Sequence, residues 1–510
     1  MLRADLRPLK FGAALNARKA YLRSLKRYGW RTVMEGPFDM KRLIERFTEY
    51  DENLNSGRGF SDSPDSGVLG WFESAILRSY FIMYEVTRDS HWLEKITSHF
   101  DRMVDNMVDL DGDGYPSWYT CTYSTAEVLT RKLHNRGTGE ILPYHATLEE
   151  IALDKNMYPH LKMEGWSGLD IPMIERFRRE KDARRIKDAE YIIEFVEKNR
   201  FVVVDLSNYK VIHEAEYVPG ERVEFAPGFS VTIMGSPEAG DKFKVECRAV
   251  RPIWYIVHQG MFLYPVSLFI EAVVKDKTLR AAYSGKVKEY LDLIDGVIVP
   301  KIERYWVDVT DRSGAYRFTE KGSERFPNRI LPHNQYLAMA RTFLVLGEAT
   351  SKPFYLDRAL RMGRYFKENL HQNGDAYMWH YWDYYEDGRF HHGHIEDAGH
   401  GSIDVGFAIE CCRRGVLFNN SELRRFCKTF TEQMWNGSLE KPKIGFRVNS
   451  KEGEAKPIRD WINLAQWDPR IFKICYRIFE LMGEPAAYAP YILQGWNRMK
   501  EGLTASQPHL

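Results

Sequence analysis

The chain has 510 residues, of which 44% are hydrophobic and 28% charged, and its formal net charge is +1. This composition is typical of a globular protein, and the near-neutral charge excludes the strongly basic footprint of a nucleic-acid partner. No run of about 18 apolar residues occurs, so we expect no membrane span.

The first 66 residues predict a helical arm followed by a loop. The arm is rich in Lys and Arg but lacks the continuous apolar stretch of a signal peptide. We interpret it as a basic amphipathic helix that lies on the protein, and the missing export signal favours a cytoplasmic location. Residues 53–67 are rich in Gly, Ser and Pro, which predicts the loop.

Helical hairpins are predicted along most of the remaining chain. From Val68 an apolar stripe at helical spacing predicts one helix, and a second follows from about His91 to Met107. Similar helix pairs are predicted at residues 258–295, 346–359, 402–435 and 479–491. With a less regular region at 125–198, the chain offers roughly six hairpins, which favours a closed ring over an open solenoid.

One segment departs from the helical pattern. Residues 200–256 alternate apolar and polar side chains between Pro-Gly turns, which predicts several short antiparallel strands. The charged stretch before it, residues 174–199, predicts a solvated helix with salt-bridged sides. We therefore divide the chain into an arm and loop (1–66), a first helical part (67–199), a β-rich insertion (200–256) and a second helical part (257–510).

Two stretches carry residues of metal-binding type. Asp109, Asp111 and Asp113 match the opening of an EF-hand calcium loop, but Thr120 stands where the closing Glu belongs, and a tight loop explains the same residues without an ion. The stretch 380–404 contains His380, His391, His392, His394 and His400. These imidazoles suit zinc or proton transfer, and without a defined metal spacing proton transfer is favoured. The six cysteines lack CxxC spacing and predict buried thiols.

Two helix starts combine polar and aromatic residues. His333, Asn334 and Gln335 open a predicted helix and would point into the centre of a ring, although capping by Asn explains them equally well. Trp461 and Trp467 stand before another helix start, where core packing is favoured over stacking on a sugar.

Three of these features together resemble the (α/α) toroid enzymes that act on uronic-acid polysaccharides, a group with polysaccharide lyases and glucuronyl C5-epimerases. They are an E-x-T-x(4)-[WY] repeat in two hairpins, the Asn334-Gln335 pair, and the ED-x-x-H-G-x-x-D-V segment that begins at Glu396. The resemblance implies a mainly α fold, an incomplete or full six-hairpin toroid with a small antiparallel β insertion. It also implies a secreted or periplasmic location. The insertion does not match the terminal β-sandwich of many such lyases.

The resemblance further implies a lyase that removes the C5 proton of a uronate and breaks the C4–O bond by β-elimination. In this scheme His400 is the base, Tyr384 or Tyr385 is the acid, and Asn334 with Arg329 or His333 neutralises the substrate carboxylate. Glu396 and Asp397 orient His400 or bind sugar hydroxyls. The remaining expected substrate contacts are His333, Gln335, Trp382, His394, Trp461 and Trp467.

The expected partner is therefore a uronate-containing polysaccharide or oligosaccharide, with no required cofactor and calcium as the one suggested ion. A C5-epimerase would differ mainly in returning the proton to the other face of the sugar. A glycoside hydrolase would need two carboxylates, for which Asp383, Glu396, Asp397 and Asp404 are the candidates. A non-catalytic glycan-binding scaffold is the alternative from another class.

Overall fold

The computed structural model describes residues 38–120, 127–132, 146–153, 189–226, 229–235, 237–248, 252–319, 328–386, 388–456 and 458–505. Within these ranges the protein is mainly helical and carries small antiparallel sheets, as predicted. The predicted basic N-terminal helix lies, up to residue 37, outside the described residues.

The helices follow the predicted hairpins closely. In chain order they are α1 (Met40–Asn53), α2 (Ser74–Thr87), α3 (His91–Asp105), α4 (Ile256–Lys275), α5 (Lys277–Leu293), α6 (Val299–Glu303), α7 (His333–Thr350), α8 (Pro353–Glu368), α9 (Gly401–Arg413), α10 (Asn420–Lys428), α11 (Pro469–Leu481) and α12 (Ala489–Ala505). A π-helical turn, Leu69–Glu73, leads into α2, and a 3-10 segment, Asp460–Gln466, precedes α11.

Helix starts are set by local polar side chains. The Asp276 carboxylate accepts hydrogen bonds from the backbone N–H groups of Thr278 and Leu279 at the start of α5. Asn419 and Glu422 form a reciprocal capping box at the start of α10. These caps satisfy N–H groups that a helix start leaves unpaired, and so they define where α5 and α10, the second helices of two hairpins, begin.

Contacts between helices close a ring. Going round it, α2 packs against α4, α4 against α7, α7 against α9, α9 against the 3-10 segment, the 3-10 segment against α12, and α12 against α2. The Tyr491 hydroxyl of α12 donates to the Ala75 carbonyl of α2 at 3.3 Å, which joins the two ends of the series. Six further helices pack on the outside of this inner ring, each against one or two of its members: α1, α3, α5, α8, α10 and α11.

Helix α4 is the most deeply enclosed of the inner elements. It is the one described helix long and apolar enough to cross a bilayer, but 94% of its apolar window is buried inside the protein, as in a core helix. Its Gly260 lies against the backbone of Ala338 and Met339 in α7. The ring core is therefore built around the contact between α4 and α7.

The strands form two larger sheets and several hairpins. Their bounds are β1 (Glu127–Lys132), β2 (Ala146–Leu153), β3 (Ala189–Glu197), β4 (Arg200–Asp205), β5 (Lys210–Glu216), β6 (Arg222–Ala226), β7 (Phe229–Gly235), β8 (Lys242–Arg248), β9 (Trp306–Asp308), β10 (Gly314–Tyr316), β11 (His371–Asn373), β12 (Ala376–Met378), β13 (Asp383–Glu386) and β14 (Arg389–His392). One sheet has the order β1-β8-β3-β4-β5 and another β2-β7-β6, and the rest are two-stranded. All pairings are antiparallel.

The β-rich part begins earlier than predicted. Strands β1, β2 and β3 lie in the range that we assigned to the first helical part, and they pair with β7, β8 and β4 of the predicted insertion. The predicted charged helix is wrong where β3 forms, since Ile193 and Phe195 are buried on one face of that strand. The burial of every second, apolar side chain stabilises a strand here, despite the charged residues between them. Residues 174–188 of that prediction lie outside the described ranges.

Candidate functional site

The starts of several inner elements meet at one end of the ring. Trp71 lies in the turn before α2, His258 in the first turn of α4, and His400 at the N-cap of α9. The Trp71 ring lies edge-on to both imidazoles, with centroids 5.7 Å from His258 and 6.2 Å from His400. The N-terminal ends of α4 and α9 carry partial positive charge, which favours an anionic ligand at this end of the ring.

His400 and Asp397 form a hydrogen-bonded pair. Nδ1 of His400 lies 2.7 Å from Oδ2 of Asp397, and the imidazole is 38% exposed while the carboxylate is 13% exposed. A carboxylate only accepts hydrogen bonds, so Nδ1 carries the proton and Nε2 keeps a free lone pair. The pair has the arrangement of a general base held in one tautomer.

The charge of Asp397 is stabilised by its surroundings. Burial alone would raise the pKa of this carboxyl, but hydrogen bonds from the His400 imidazole and from the backbone N–H groups of Gly399 and His400 hold the pKa below its usual range. Oδ1 accepts from these N–H groups at 2.8 Å and 2.9 Å. Asp397 therefore orients His400, as predicted for one of its two possible roles.

Tyr381 is the tyrosine beside the base. Its ring centroid lies 5.3 Å from that of His400 and 4.9 Å from that of the exposed His394. Nε2 of Gln335 donates to its hydroxyl at 3.4 Å. One signal in the sequence pointed to Tyr381, because Tyr381 and His394 lie on opposite sides of the same short hairpin. The face of the hairpin on which the Tyr381 side chain lies, however, depends on the strand register.

Tyr384 and Tyr385, the predicted acids, do not contact His400. The Tyr384 ring packs against Trp382 and His391, with centroids 4.5 Å and 5.3 Å away. Tyr385 is 62% exposed. Residues of β13 alternate between faces, so this strand directs Tyr384 away from the end of the ring where His400 lies. Neither tyrosine therefore lies beside His400, where the structure places Tyr381 instead.

Arg329 and Trp382 belong to the same separate cluster. Nε of Arg329 donates to Glu386 at 2.9 Å, and its guanidinium lies 5.0 Å from the Tyr384 ring centroid. The buried Trp382 donates from Nε1 to the Ile330 carbonyl at 2.5 Å. Arg329 is thus paired with a protein carboxylate and Trp382 with the core, so the predicted contacts with substrate are not supported.

The three polar residues at the start of α7 have different environments. His333 is fully buried, and both of its ring nitrogens are engaged, by Asp383 and by the Tyr336 hydroxyl. It holds the loop to the helix and has no free nitrogen for a substrate carboxylate, which corrects its predicted role. Asn334 is buried and its Oδ1 lacks a hydrogen-bond partner among the described residues. Asn334 and Gln335 stay candidates for substrate contact.

Glu396 and Asp404 form a buried acidic pair below His400. Both are fully buried, Trp379 donates to Asp404 at 2.9 Å, and the Asp397 backbone N–H donates to Glu396 at 2.7 Å. Burial and the negative charge of Asp404 raise the pKa of Glu396 well above its usual range, and burial raises the pKa of Asp404 to about 6. Oε2 of Glu396 and Oδ1 of Asp404 are buried without a hydrogen-bond partner among the described residues, and the raised pKa of Glu396 favours its protonated form beside Asp404. Glu396 therefore does not reach a sugar hydroxyl.

Trp461 and Trp467 pack in the core. Trp461 is fully buried and donates to the Ala398 carbonyl at 2.8 Å, and Trp467 donates to Asn420 at 2.7 Å. Their prediction as sugar-stacking residues is wrong because neither ring face is open to solvent. The half-buried Trp71 is the tryptophan beside His400, and sequence reasoning missed it.

The predicted calcium loop holds an internal cation. Nζ of Lys301, a side chain that is 1% exposed, donates to both oxygens of Asp111 at 3.0 Å and 3.1 Å and to Asp113 at 2.9 Å. Burial would raise the pKa of Asp111, but hydrogen bonds from Tyr119 and Lys301 keep it lowered. Oxygens of Asp109, Asp111 and Asp113 can approach one point. The ammonium competes for that point, which argues against calcium and leaves it a prediction.

Comparison with known proteins identifies no family. No family model and no curated protein matches the chain. Among solved structures, an α-1,6-mannanase (GH76A) of Salegentibacter sp. HEL1_6 in complex with α-1,6-mannotriose is 10% identical, over 90% of this chain and 99% of that one, with a TM-score of 0.38. A GH76 α-mannanase of Bacteroides thetaiotaomicron is 11% identical over 48% and 59%, with a TM-score of 0.26.

Another similar structure is FlgL of Xanthomonas campestris, which is 12% identical over 45% of this chain and 78% of that one, with a TM-score of 0.15. TM-scores this low carry no argument about the fold or the activity. The function is therefore argued from the geometry of the site.

Proposed function

We propose that the helical ring is an (α/α) toroid and that the protein is a carbohydrate-active enzyme that cleaves a uronate-containing glycan by β-elimination. The observation that carries this proposal is the His400–Asp397 pair, whose imidazole is partly exposed beside the ring of Tyr381. A base with one free nitrogen and a neighbouring phenol are the two proton-transfer groups that elimination requires.

The proposed reaction moves two protons. Nε2 of His400 takes the C5 proton of the uronate, and the electron pair of the C5–H bond forms a C4=C5 double bond as the C4–O bond breaks. The departing glycosidic oxygen takes a proton from the Tyr381 hydroxyl. The products are a chain with an unsaturated end and a chain with a new hydroxyl, and exchange with water restores His400 and Tyr381.

Charge that develops on the uronate carboxylate needs nearby donors. Asn334 in the first turn of α7 offers its side-chain amide, and the N-terminal end of α9 at His400 adds partial positive charge on this side of the ring. Preorganised donors of this kind stabilise an anionic transition state without an ion. Gln335, which donates to Tyr381, would position the phenol rather than touch the reacting atoms.

Glycoside hydrolysis is the competing reaction class, and it requires two carboxylates that flank the bond. Of the four candidate carboxylates, Asp383, Glu396 and Asp404 are fully buried, while Asp397 is held by His400. None of the four faces another across an open space. This burial favours elimination over hydrolysis by these residues.

The test is the product spectrum of the purified protein with polymers that contain glucuronate or iduronate, with alginate and with ulvan. Elimination gives ultraviolet absorbance from the conjugated double bond, hydrolysis gives reducing ends without it, and epimerisation in heavy water exchanges the C5 proton without cleavage. We expect the absorbance. Reducing ends alone on these polymers or on a neutral glycan would assign hydrolysis and overturn the proposal.

Variants then test the residues. His400→Ala and Tyr381→Phe should each lower kcat by roughly 10²–10⁴-fold, since each removes one proton-transfer group. His391→Ala is the matched control, because His391 lies in the same loop but stacks on Tyr384. Full activity in His400→Ala would exclude His400 as the base.

A further inference from the structure

Three histidines that the proposed reaction does not use lie together beside Asp383. They are His371 at the start of β11, His380 just after β12, and His392 at the end of β14. One ring nitrogen of each lies within 4.8 Å of one from each of the others. The ring centroids of His380 and His392 are 4.5 Å apart, and that of His371 lies 5.2 Å and 5.8 Å from them. The cluster therefore joins two hairpins that are separate in the sheet topology.

Two of these imidazoles have nitrogens without partners. Nε2 of His371 and Nδ1 of His380 are buried atoms with no hydrogen-bond partner among the described residues. The nearest carboxylate oxygen to Nδ1 of His380, on Asp383, lies 3.7 Å away, beyond hydrogen-bond distance. A buried nitrogen that lacks a partner costs free energy unless a ligand satisfies it. Because one nitrogen of each of the three imidazoles lies within 4.8 Å of the others, a bound cation is the simplest ligand.

Asp383 supplies the outer support that metal-bound histidines require. Its fully buried carboxylate accepts from Nδ1 of His392 at 2.5 Å and lies 2.7 Å from Nε2 of His333. The contact with His392 fixes its tautomer, so that Nε2 of His392 keeps a lone pair for an ion. A carboxylate that holds the second nitrogen of a histidine ligand is the usual outer contact of zinc sites.

We propose that His371, His380 and His392 bind one divalent transition ion of the zinc class. Three imidazole nitrogens suit zinc and not calcium or magnesium, which prefer oxygen. Ligand nitrogens on a tetrahedral zinc lie about 3.4 Å apart, given bonds of about 2.0–2.1 Å. Separations of up to 4.8 Å would therefore have to close by up to about 1.4 Å through side-chain rotation when the ion binds. His392 is 44% exposed, so the fourth position faces solvent.

The ion would cross-link the β11–β12 hairpin to the β13–β14 hairpin. His380 directly precedes Tyr381, whose backbone N–H and carbonyl are bonded to the chain at His394 and His333. Coordination of the ion by His380 would thus fix the position of the backbone that carries Tyr381. This site differs from the stretches singled out in the sequence, because His371 comes from outside them.

The test uses the full chain without an added histidine tag, stripped with a chelator and titrated with Co²⁺. We expect one equivalent to bind with the intense visible absorption of tetrahedral cobalt, and zinc but not calcium to displace it. His371→Gln and His392→Gln should each weaken binding by roughly tenfold or more. His391→Gln is the matched control, since His391 neighbours His392 on β14 but faces Tyr384.

Circular dichroism without metal checks that each variant folds, and His392, as an exposed side chain, provides the safer substitution. Zinc should raise the Tm of the wild type and of His391→Gln but not that of the two ligand variants. Absence of binding, an octahedral cobalt spectrum, or equal loss of affinity in His391→Gln would each overturn the site.

Discussion

At the scale of single residues, the buried acidic pair of Glu396 and Asp404 links stability to pH. Both folded-state pKa values are raised, that of Asp404 to about 6. The folded protein thus binds more protons than the unfolded chain between about pH 4 and the folded pKa values. The stabilisation from this pair is complete below about pH 4 and is lost as the pH rises through about 6.

Glu396→Gln should remove much of this dependence, because the amide donates to Asp404 without a titrating proton. From about pH 4 to about pH 7, we expect the free energy of unfolding of the wild type to fall relative to that of the variant by on the order of 1–3 kcal/mol. Urea denaturation at several pH values measures the difference. Glu440→Gln, an exposed substitution, should follow the wild type. Parallel curves for wild type and Glu396→Gln would contradict the raised pKa values of the pair.

Lys301 is the second residue with a large expected effect. Lys301→Met would leave Asp111 and Asp113 without their buried cation, at a cost of about 3–5 kcal/mol. Calcium should then raise the Tm of the variant and not that of the wild type, as differential scanning calorimetry would measure. Lys288→Met, which breaks an exposed pair with Asp292, should cost about 0–1 kcal/mol. A calcium response of the wild type would show that the loop binds the ion despite Lys301.

At the scale of elements, the contact between α4 and α7 depends on one missing side chain. A Cβ on Gly260 would lie 2.4 Å from the Met339 nitrogen and 2.5 Å from the Ala338 carbonyl carbon. Gly260→Ala should therefore force the helices apart and lower the free energy of unfolding by about 1–3 kcal/mol. Gly285→Ala on α5, where nothing lies within 4 Å, should be neutral or stabilise by up to about 1 kcal/mol. Chemical denaturation compares them, and equal stabilities would contradict close helix contact.

Helices and strands were predictable from the sequence where the apolar residues follow one clear period. The stripe from Val68 gave α2, and the pairs at 258–295 and 402–435 appear as α4–α5 and α9–α10. Strand β3 was missed because charged residues around Ile193 and Phe195 hid a short period-two pattern. His400 and Asp397 were placed together by their spacing of three residues, which local geometry fixes. Tyr381 was not placed beside His400, because the direction of its side chain depends on how its backbone pairs with residues near His394.

At the scale of the whole molecule, the repeats in the sequence favoured a closed ring but not the contacts that close it, and the count of six included residues 125–198, where strands form. Closure depends on contacts between α12 and α2, whose residues are about 400 positions apart, as in the hydrogen bond from Tyr491 to Ala75. The candidate site also depends on ring closure, because Trp71 precedes α2 while His400 precedes α9. Residues far apart in the chain meet only when the ring is complete.

Removal of α12 separates a closed ring from an open solenoid. A chain that ends at residue 488 should lose amide hydrogen-exchange protection in α2 as well as in the 3-10 segment, because α12 packs against both. In an open solenoid, loss would be confined to the neighbouring end of the series. Gly495→Val perturbs the neighbouring contact of α12 with the 3-10 segment, since a Cβ there lies 2.5 Å from the Ile462 side chain. Unchanged protection of α2 in the shortened chain would contradict ring closure.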